Sequence, residues 1–324
     1  MASSLVYGPV PSRRLGRSLG INNIPPKICN YSCIYCQLGK TLITKVEPRP
    51  FYKTTRIIEM VTTKLEQTWG RRDPVDYVTF VPDGEPTLDA NLGEEIDILK
   101  GLGVKVAVIT NGGLLWRENV RKNLLKADWL SLKVDAVDEE TWRRIDRPHK
   151  SLKLGTILQG LLEFAKSFQG KLTTETMLIK GINDDIDRIE QVADFLKSIK
   201  PDIAYLAIPT RPFAEQIEPV MEPFINAAYQ IFNQRLSNVE YLVGYEGNAF
   251  SSIGNAVEDL LSITAVHPMR EDAVAEFLGN NGADWSIIQQ LTNSGNLISL
   301  DYQGKKYIMG ILPGAVSRDS YRPG

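Results

Sequence analysis

Cysteine is scarce, net charge is nearly absent, and no long apolar run occurs in these 324 residues. The three cysteines all lie between Cys29 and Cys36. An odd number packed this tightly is a poor disulfide framework, because neighbouring bridges would leave one thiol over. Lysine and arginine total 37 against 39 acids, and the resulting −2 excludes a whole-chain electrostatic grip on nucleic acid. A local basic patch is still compatible with that total. No apolar stretch approaches the ~20 residues that span a bilayer, so no membrane partner is expected. Met1 to Pro9 holds no basic segment followed by an apolar run, and so does not read as a signal peptide. The expected compartment is the cytoplasm, where thiols stay reduced. Repeats and low-complexity tracts are absent too.

What remains is ordinary globular composition, 43% apolar and 23% charged. The length suits one large domain, or a large and a small one, with a core that needs no disulfide staples. From about residue 54 helical and strand patterns alternate. Ile57, Ile58, Val61, Leu65 and Trp69 recur every three to four positions, as on a helix face. Strands are expected near 18–22, 75–81, 104–109, 129–134, 172–179 and 203–208, with a further one at 239–243. The helices between them are expected near 92–99, 117–126, 138–146, 153–168, 185–199 and 219–235. Strands separated by helices imply right-handed crossovers and a parallel sheet. The six strands before residue 210 predict an α/β fold of the partial (β/α)6 barrel type, with a doubly wound open sheet as the alternative. Either way, chemistry is expected at the carboxyl ends of the strands.

Near residue 262 the pattern changes. Short helices at 270–278 and 283–291 precede a hairpin at 296–301 and 305–311, a small C-terminal winged-helix-like arrangement. The expected organisation is a barrel domain over 1–262, a winged-helix-like domain over 263–312 and a flexible tail over 313–324.

Cys29-x3-Cys33-x2-Cys36 lies in a loop after Pro25-Pro26, ahead of the first long helix. Three thiolates this close can hold three corners of a cubane iron–sulfur cluster, leaving the fourth iron open to a ligand. A structural zinc site is the competing reading, but it wants four ligands, with the fourth from His149, His267 or a carboxylate. Three unconnected structural thiols are the third possibility.

The stretch Cys29-Asn30-Tyr31-Ser32-Cys33-Ile34-Tyr35-Cys36 resembles the signature of the radical S-adenosylmethionine (SAM) enzymes, including the aromatic Tyr35 before the third cysteine. Tyr7 to Gly20 resembles an iron–sulfur oxidoreductase subgroup grouped by sequence with the wyosine-base-forming tRNA enzymes. The resemblance spans roughly residues 5 to 255. It implies a 4Fe-4S cluster on Cys29, Cys33 and Cys36, and SAM chelated through its amino and carboxylate groups at the open iron. It further implies reductive cleavage of SAM to a 5′-deoxyadenosyl radical that abstracts hydrogen from a substrate. A one-electron donor such as flavodoxin or ferredoxin would be the partner.

Three further groups sit at expected strand ends. Asp83-Gly84-Glu85-Pro86-Thr87 resembles the family's Gly-Gly-Glu motif, with Asp83 in place of the first glycine. Gly84, Glu85 and Pro86 are thus candidate SAM-binding residues, Glu85 through a charge-assisted bond to the SAM ammonium. Turn chemistry alone would also explain Asp, Gly and Pro here. Thr110-Asn111-Gly112 resembles another family run, which makes Asn111 a candidate cofactor contact. Ser131, Lys133 and Asp135 alternate onto one strand face. Lys133 and Asp135 match the family's polar-x-Asp pattern, so Ser131 and Lys133 are expected at the cofactor and Lys133 and Asp135 in catalysis. Glu175 is a further catalytic candidate because it shares a face with Met177, itself a candidate adenine contact. Lys180, Asn183 and His149 are weaker, and 209–212 and 244–248 could line the substrate side.

Between Pro9 and Arg56 nine basic residues face a single acid, Glu47, which makes RNA a possible partner for the segment 9–56. The segment 265–312 carries three basic residues and five acids, unlike a DNA-reading wing. With only three cysteines a second cysteine-bound cluster cannot form, so the wyosine-forming activity itself is not expected. RNA modification leads over a protein or small-molecule substrate. The rival class is a non-enzymatic iron–sulfur sensor with a C-terminal interaction module.

Overall fold

The structure, a computed structural model, describes residues 5–311 apart from 42, 69–73, 213–214, 216, 246, 251 and 253–254. The expected tail at 313–324 and Trp69 of the first helical stripe lie outside the described residues.

Strand β1 (Val6–Ser12) turns back as β2 (Gly16–Ile21) in an antiparallel hairpin. From β2 onward all neighbours are parallel and follow chain order. They are β3 (Tyr77–Phe80), β4 (Val106–Thr110), β5 (Trp129–Lys133), β6 (Lys171–Met177), β7 (Ile203–Ala207) and β8 (Val239–Leu242). The crossovers carry α1 (Thr54–Thr68), α2 (Leu92–Gly101), α3 (Glu118–Leu124), α4 (Glu139–Ile145), α5 (Leu154–Ser167), α6 (Ile186–Ile199) and α7 (Glu222–Asn233). Because strand order never reverses, there is no switch point of the doubly wound kind. β1 and β8 form the two ends of the eight-stranded sheet, which has the winding of an open, partial barrel.

Apolar periodicity explains the crossovers. Helix α6 buries Ile189, Val192, Ala193, Leu196 and Ile199, and its Asp185 cap accepts from Arg188 N. Strand β7 is buried along its whole length, as parallel strands covered on both faces are. Strand β1 was not expected from the sequence. Its Pro9 and Pro11 resemble a loop, yet proline is tolerated on an edge strand, where a missing N–H breaks no ladder.

A second unit follows: α8 (Ala256–Val266), β9 (Met269–Arg270), α9 (Glu271–Asn280), α10 (Ser286–Asn293), β10 (Leu297–Tyr302) and β11 (Lys305–Gly310). Its three strands pair in the order β10-β11-β9, and α8, α9 and α10 pack with them around Leu260, Ile263, Val274, Phe277, Ile288 and Ile308. Neither α8 nor the two-residue β9 was expected. Described residues tie the unit to the barrel. Val10 packs on its core, Lys64 Nζ meets Asp259 Oδ1 at 2.6 Å, and the hydroxyls of Tyr302 and Tyr307 donate to Pro209 O and Thr210 O.

Helix α2 contains an anomaly with a consequence for stability. Glu95 is fully buried and neither carboxylate oxygen has a hydrogen-bond partner among the described residues. Burial, with Asp89 and Glu94 nearby, pushes its pKa from the ordinary 4.5 up to about 9. The folded chain therefore keeps a proton that the unfolded chain releases, so Glu95 lowers stability as pH rises from about 4.5 to about 9. Denaturant titrations across that window should show a shallower pH dependence for Glu95→Gln than for the wild type. Parallel curves would contradict the assignment.

Candidate active site

The loop between β2 and α1 carries Cys29, Cys33 and Cys36, all three as free, half-buried thiols. Its path is set by backbone contacts from two sides. Glu85 N donates to Ile28 O at 3.0 Å and Lys27 N to Asp83 O at 2.7 Å. From the other side Ile34 N donates to Ile145 O at 2.9 Å, and His149 N to Asn30 O at 2.8 Å. The three sulfurs open on a cavity of about 400 Å³ at the carboxyl ends of the parallel strands. Burial raises the pKa of each thiol.

Glu85 lies in the turn after β3 and is buried. Its Oε1 accepts from Thr87 Oγ1 and Thr110 Oγ1, both at 2.6 Å, and from Thr87 N at 3.1 Å. Its Oε2 accepts from Asn111 N at 2.9 Å. Burial raises its pKa, and the bonds from Thr110, Thr87 and Asn111 pull the other way. Asn111 passes this brace on to the cysteine loop. Its amide nitrogen donates to Asn30 Oδ1 at 2.6 Å and lies 3.7 Å from Cys29 Sγ.

On the opposite wall, β5 and β6 present Lys133 and Glu175 side by side in register. Lys133 Nζ meets Glu175 Oε1 at 2.9 Å and Asp135 Oδ1 at 3.5 Å, and lies 4.7 Å above the Tyr35 ring. Burial works against the Lys133 ammonium, but Asp135 and Glu175 outweigh it and raise its pKa. Glu175 also pairs with Arg14 from the β1–β2 turn. Against burial, Lys133 and Arg14 hold its carboxylate down at about 2.

The cavity thus gathers Cys29, Cys33, Cys36, Tyr35, Gly84, Glu85, Asn111, Lys133, Glu175 and Met177 from the sequence-expected set. Three expected residues are not in its lining. Pro86 is buried at the start of a 3₁₀ turn, and Ser131 is buried with Arg14 3.5 Å from its hydroxyl. Asp135 accepts from Tyr35 OH and, at 2.7 Å, from Met177 N, so its oxygens are spent on positioning. Among the weaker candidates, Asn183 is a buried brace to Met177 O and Asp135 O. Lys180 pairs on the surface with Glu218, and His149 with Ser151. Thr210 and Arg211 do reach the cavity.

Several residues of the site had escaped notice. Arg13, Arg14 and Lys27 line the cavity, although they had counted only as members of a basic segment. Asp146, just past α4, accepts from the Cys33 thiol at 3.3 Å, and no motif marks it. Among the described residues, no three His, Cys, Asp or Glu side chains converge closely enough to hold a single metal ion.

A model of the Radical SAM superfamily matches residues 23–196, more than half the chain. The chain belongs to the radical SAM superfamily. Members of this superfamily use a 4Fe-4S cluster and SAM. Over 309 residues the chain is 43% identical to the UPF0026 protein MJ1312 of Methanocaldococcus jannaschii, covering 94% of this chain and 96% of that one. It is 25% identical over 191 residues to an S-adenosylmethionine-dependent nucleotide dehydratase of Flammeovirga pacifica, covering 56% of this chain and 61% of the other. Among solved structures, TYW1 with a lysine-pyruvate adduct bound aligns at a TM-score of 0.53 and 20% identity. That alignment covers 68% of this chain and 74% of TYW1, a likeness of fold. Among the described residues of this superfamily member, no helix is long and apolar enough to cross a membrane.

The salt-bridged wall has a measurable signature. In Glu175→Gln both Lys133 and Arg14 lose their shared counter-ion, which should cost about 3 kcal/mol of folding stability near neutral pH. Glu175 has a depressed folded pKa, so its contribution is present above about 4.5 and lost as pH falls toward about 2. The gap between wild type and variant in denaturant titrations should therefore narrow over that acid window. A gap independent of pH would contradict the pairing.

Proposed function

We propose that the protein is a radical SAM enzyme in which Cys29, Cys33 and Cys36 hold three corners of the 4Fe-4S cluster and the adjoining cavity takes SAM and substrate. The observation that carries this reading is the placing of the three thiols. They come from one loop and open on a cavity of about 400 Å³ beside buried, charged strand ends. When bound, the cluster and SAM supply one-electron cleavage chemistry and hydrogen-atom abstraction.

The chain's own residues have separable tasks in this reading. Glu85 and Asn111 brace the cysteine loop, so the thiols meet the cluster from a rigid frame. Tyr35 is held by Asp135 and forms a floor beneath Lys133. Lys133, Arg14 and Glu175 form a fixed charged wall that orients ligands by charge. Met177 offers an apolar, polarizable contact for a flat ring.

On the substrate side, Arg13, Arg14, Lys27, Lys133 and Arg211 outnumber Asp83, Glu85 and Glu175 along the cavity. That balance favours an anionic substrate, and a nucleotide unit of RNA is the form we favour. The resemblance to a nucleotide dehydratase is in keeping with it. The wider segment 9–56 divides between the cavity and other faces. Lys40 pairs with Glu215 and Arg49 stacks on Phe51, so only its inner members would meet the reacting unit. The electron donor would be a flavodoxin or ferredoxin, and the compartment the cytoplasm. The C-terminal unit would be a winged-helix-like cap making protein contacts. Its boundary would sit just before α8, whose Leu260 and Ile263 belong to the second core.

The test is anaerobic cluster reconstitution, reduction with dithionite and assay for 5′-deoxyadenosine after adding SAM. Wild-type protein should release it, and Cys33→Ala should lose both iron and product. An intact four-iron cluster with no SAM cleavage would overturn the enzyme reading in favour of a sensor. Normal iron content in Cys33→Ala would overturn the ligand assignment.

A further inference from the structure

The C-terminal unit forms part of the cavity wall. Val266 and His267, at the end of α8, line the cavity together with residues of the barrel's strand ends. The unit also grips the barrel loop that brings an arginine into the same space. Arg211 lies four residues past the end of β7, and 208–211 belong to neither helix nor strand.

That loop is held from one hairpin. Tyr302 OH donates to Pro209 O at 3.3 Å and Tyr307 OH to Thr210 O at 3.2 Å, so β10 and β11 fix two consecutive carbonyls just ahead of Arg211. The two rings meet edge to face with centroids 6.3 Å apart. Arg270 braces Tyr307, its Nε donating to the hydroxyl at 3.3 Å, while its guanidinium lies 3.9 Å from the centre of the Tyr245 ring. Tyr245 packs against the second core, and the carbonyl of Gly244 before it accepts from Arg13 Nη1 at 2.9 Å. Two of the cavity's arginines, Arg13 and Arg211, therefore hang on segments that the C-terminal unit holds. On the inner side Arg211 Nη1 donates to Gln37 Oε1 at 3.2 Å, next to Cys36. Of the other cations in the wall, Arg14 and Lys133 are spent on Glu175.

We propose that Arg211 binds a phosphate group of the substrate, and that Tyr302 and Tyr307 are positioning residues that set it for that task. The assignment rests on the reading of the cavity as a site for an anionic substrate, and it gives the C-terminal unit a role inside the cavity. A guanidinium recognises phosphate through a planar, bidentate fork, so its orientation matters as much as its charge. An arginine on an irregular loop has that orientation only where the loop backbone is fixed, and the two tyrosine hydroxyls fix it.

The test is a double-mutant cycle on the full, cluster-loaded chain. Inorganic phosphate is the probe in equilibrium dialysis, with SAM affinity measured alongside. Arg211→Gln should weaken phosphate binding about tenfold or more. Tyr302→Phe with Tyr307→Phe keeps both rings and removes both hydroxyls, which should weaken phosphate about fivefold and leave SAM affinity unchanged. Added to Arg211→Gln, the same two changes should alter phosphate affinity by less than about twofold, because their effect runs through Arg211. An equal loss in both backgrounds, or an equal loss for phosphate and SAM, marks a merely structural role and would overturn the inference. Phosphate binding that is absent from the wild type, or that survives Arg211→Gln, would overturn it as well. Should the paired tyrosine variant fail to fold, Tyr302→Phe alone, at the half-buried end of β10, runs the same cycle. Failure of the wild type to bind and cleave SAM would instead defeat the proposed function, so the two failures are distinguishable.

Discussion

The turn after β3 lies so close to the cysteine loop that a Cβ on Gly84 would fall 2.0 Å from Ile28 O. Only glycine permits that approach. With it come the bonds from Glu85 N to Ile28 O and from Lys27 N to Asp83 O, which fix the loop just ahead of Cys29. The Glu85 carboxylate then reaches from β3 to the end of β4, and Asn111 returns from β4 to Asn30. Two strand ends and the loop thus form one interlocked unit. The thiol positions and the cavity beside them depend on it.

The opposite side of the cavity follows a different rule. There, charges are balanced against each other rather than against backbone. Lys133 and Arg14 share Glu175, and Asp135 ties Tyr35 to the end of β6 through Met177 N. Breaking a buried pair leaves an uncompensated charge, so such a wall is rigid in geometry and sensitive to single changes. The cavity therefore joins a backbone-braced edge that carries the cysteines to an electrostatically braced edge of paired charges. That division matches what superfamily chemistry asks of the protein: a fixed cluster and oriented ligands in a site that excludes water.

Much of this was legible in the sequence, for physical reasons. The β-α alternation survives because apolar periodicity is local, and it located β3 to β8 and α1 to α7. The cysteine spacing is local as well. What the sequence hid was depth and commitment. Ser131, Lys133 and Asp135 alternate correctly, but β5 ends at Lys133, so Asp135 leaves the strand face and turns to Tyr35 and Met177 N. Glu85 and Asp83 sit two residues apart and look interchangeable as acids. Only the fold shows that one accepts four hydrogen bonds while the other's carboxylate has no hydrogen-bond partner among the described residues. Prolines hid β1, and α8 passed unnoticed where the barrel pattern faded. The basic run of 9–56 is continuous in sequence but split in space, because the β1–β2 turn points Arg13 and Arg14 into the cavity.

The central claim is that three cysteines leave one iron open to SAM inside this cavity. Electron–nuclear double resonance on the reduced, cluster-loaded protein tests it most directly, using SAM labelled with nitrogen-15 at its amino group. The account predicts a nitrogen coupling to the cluster that changes with the isotope. A four-iron cluster with SAM bound but no such coupling would contradict it.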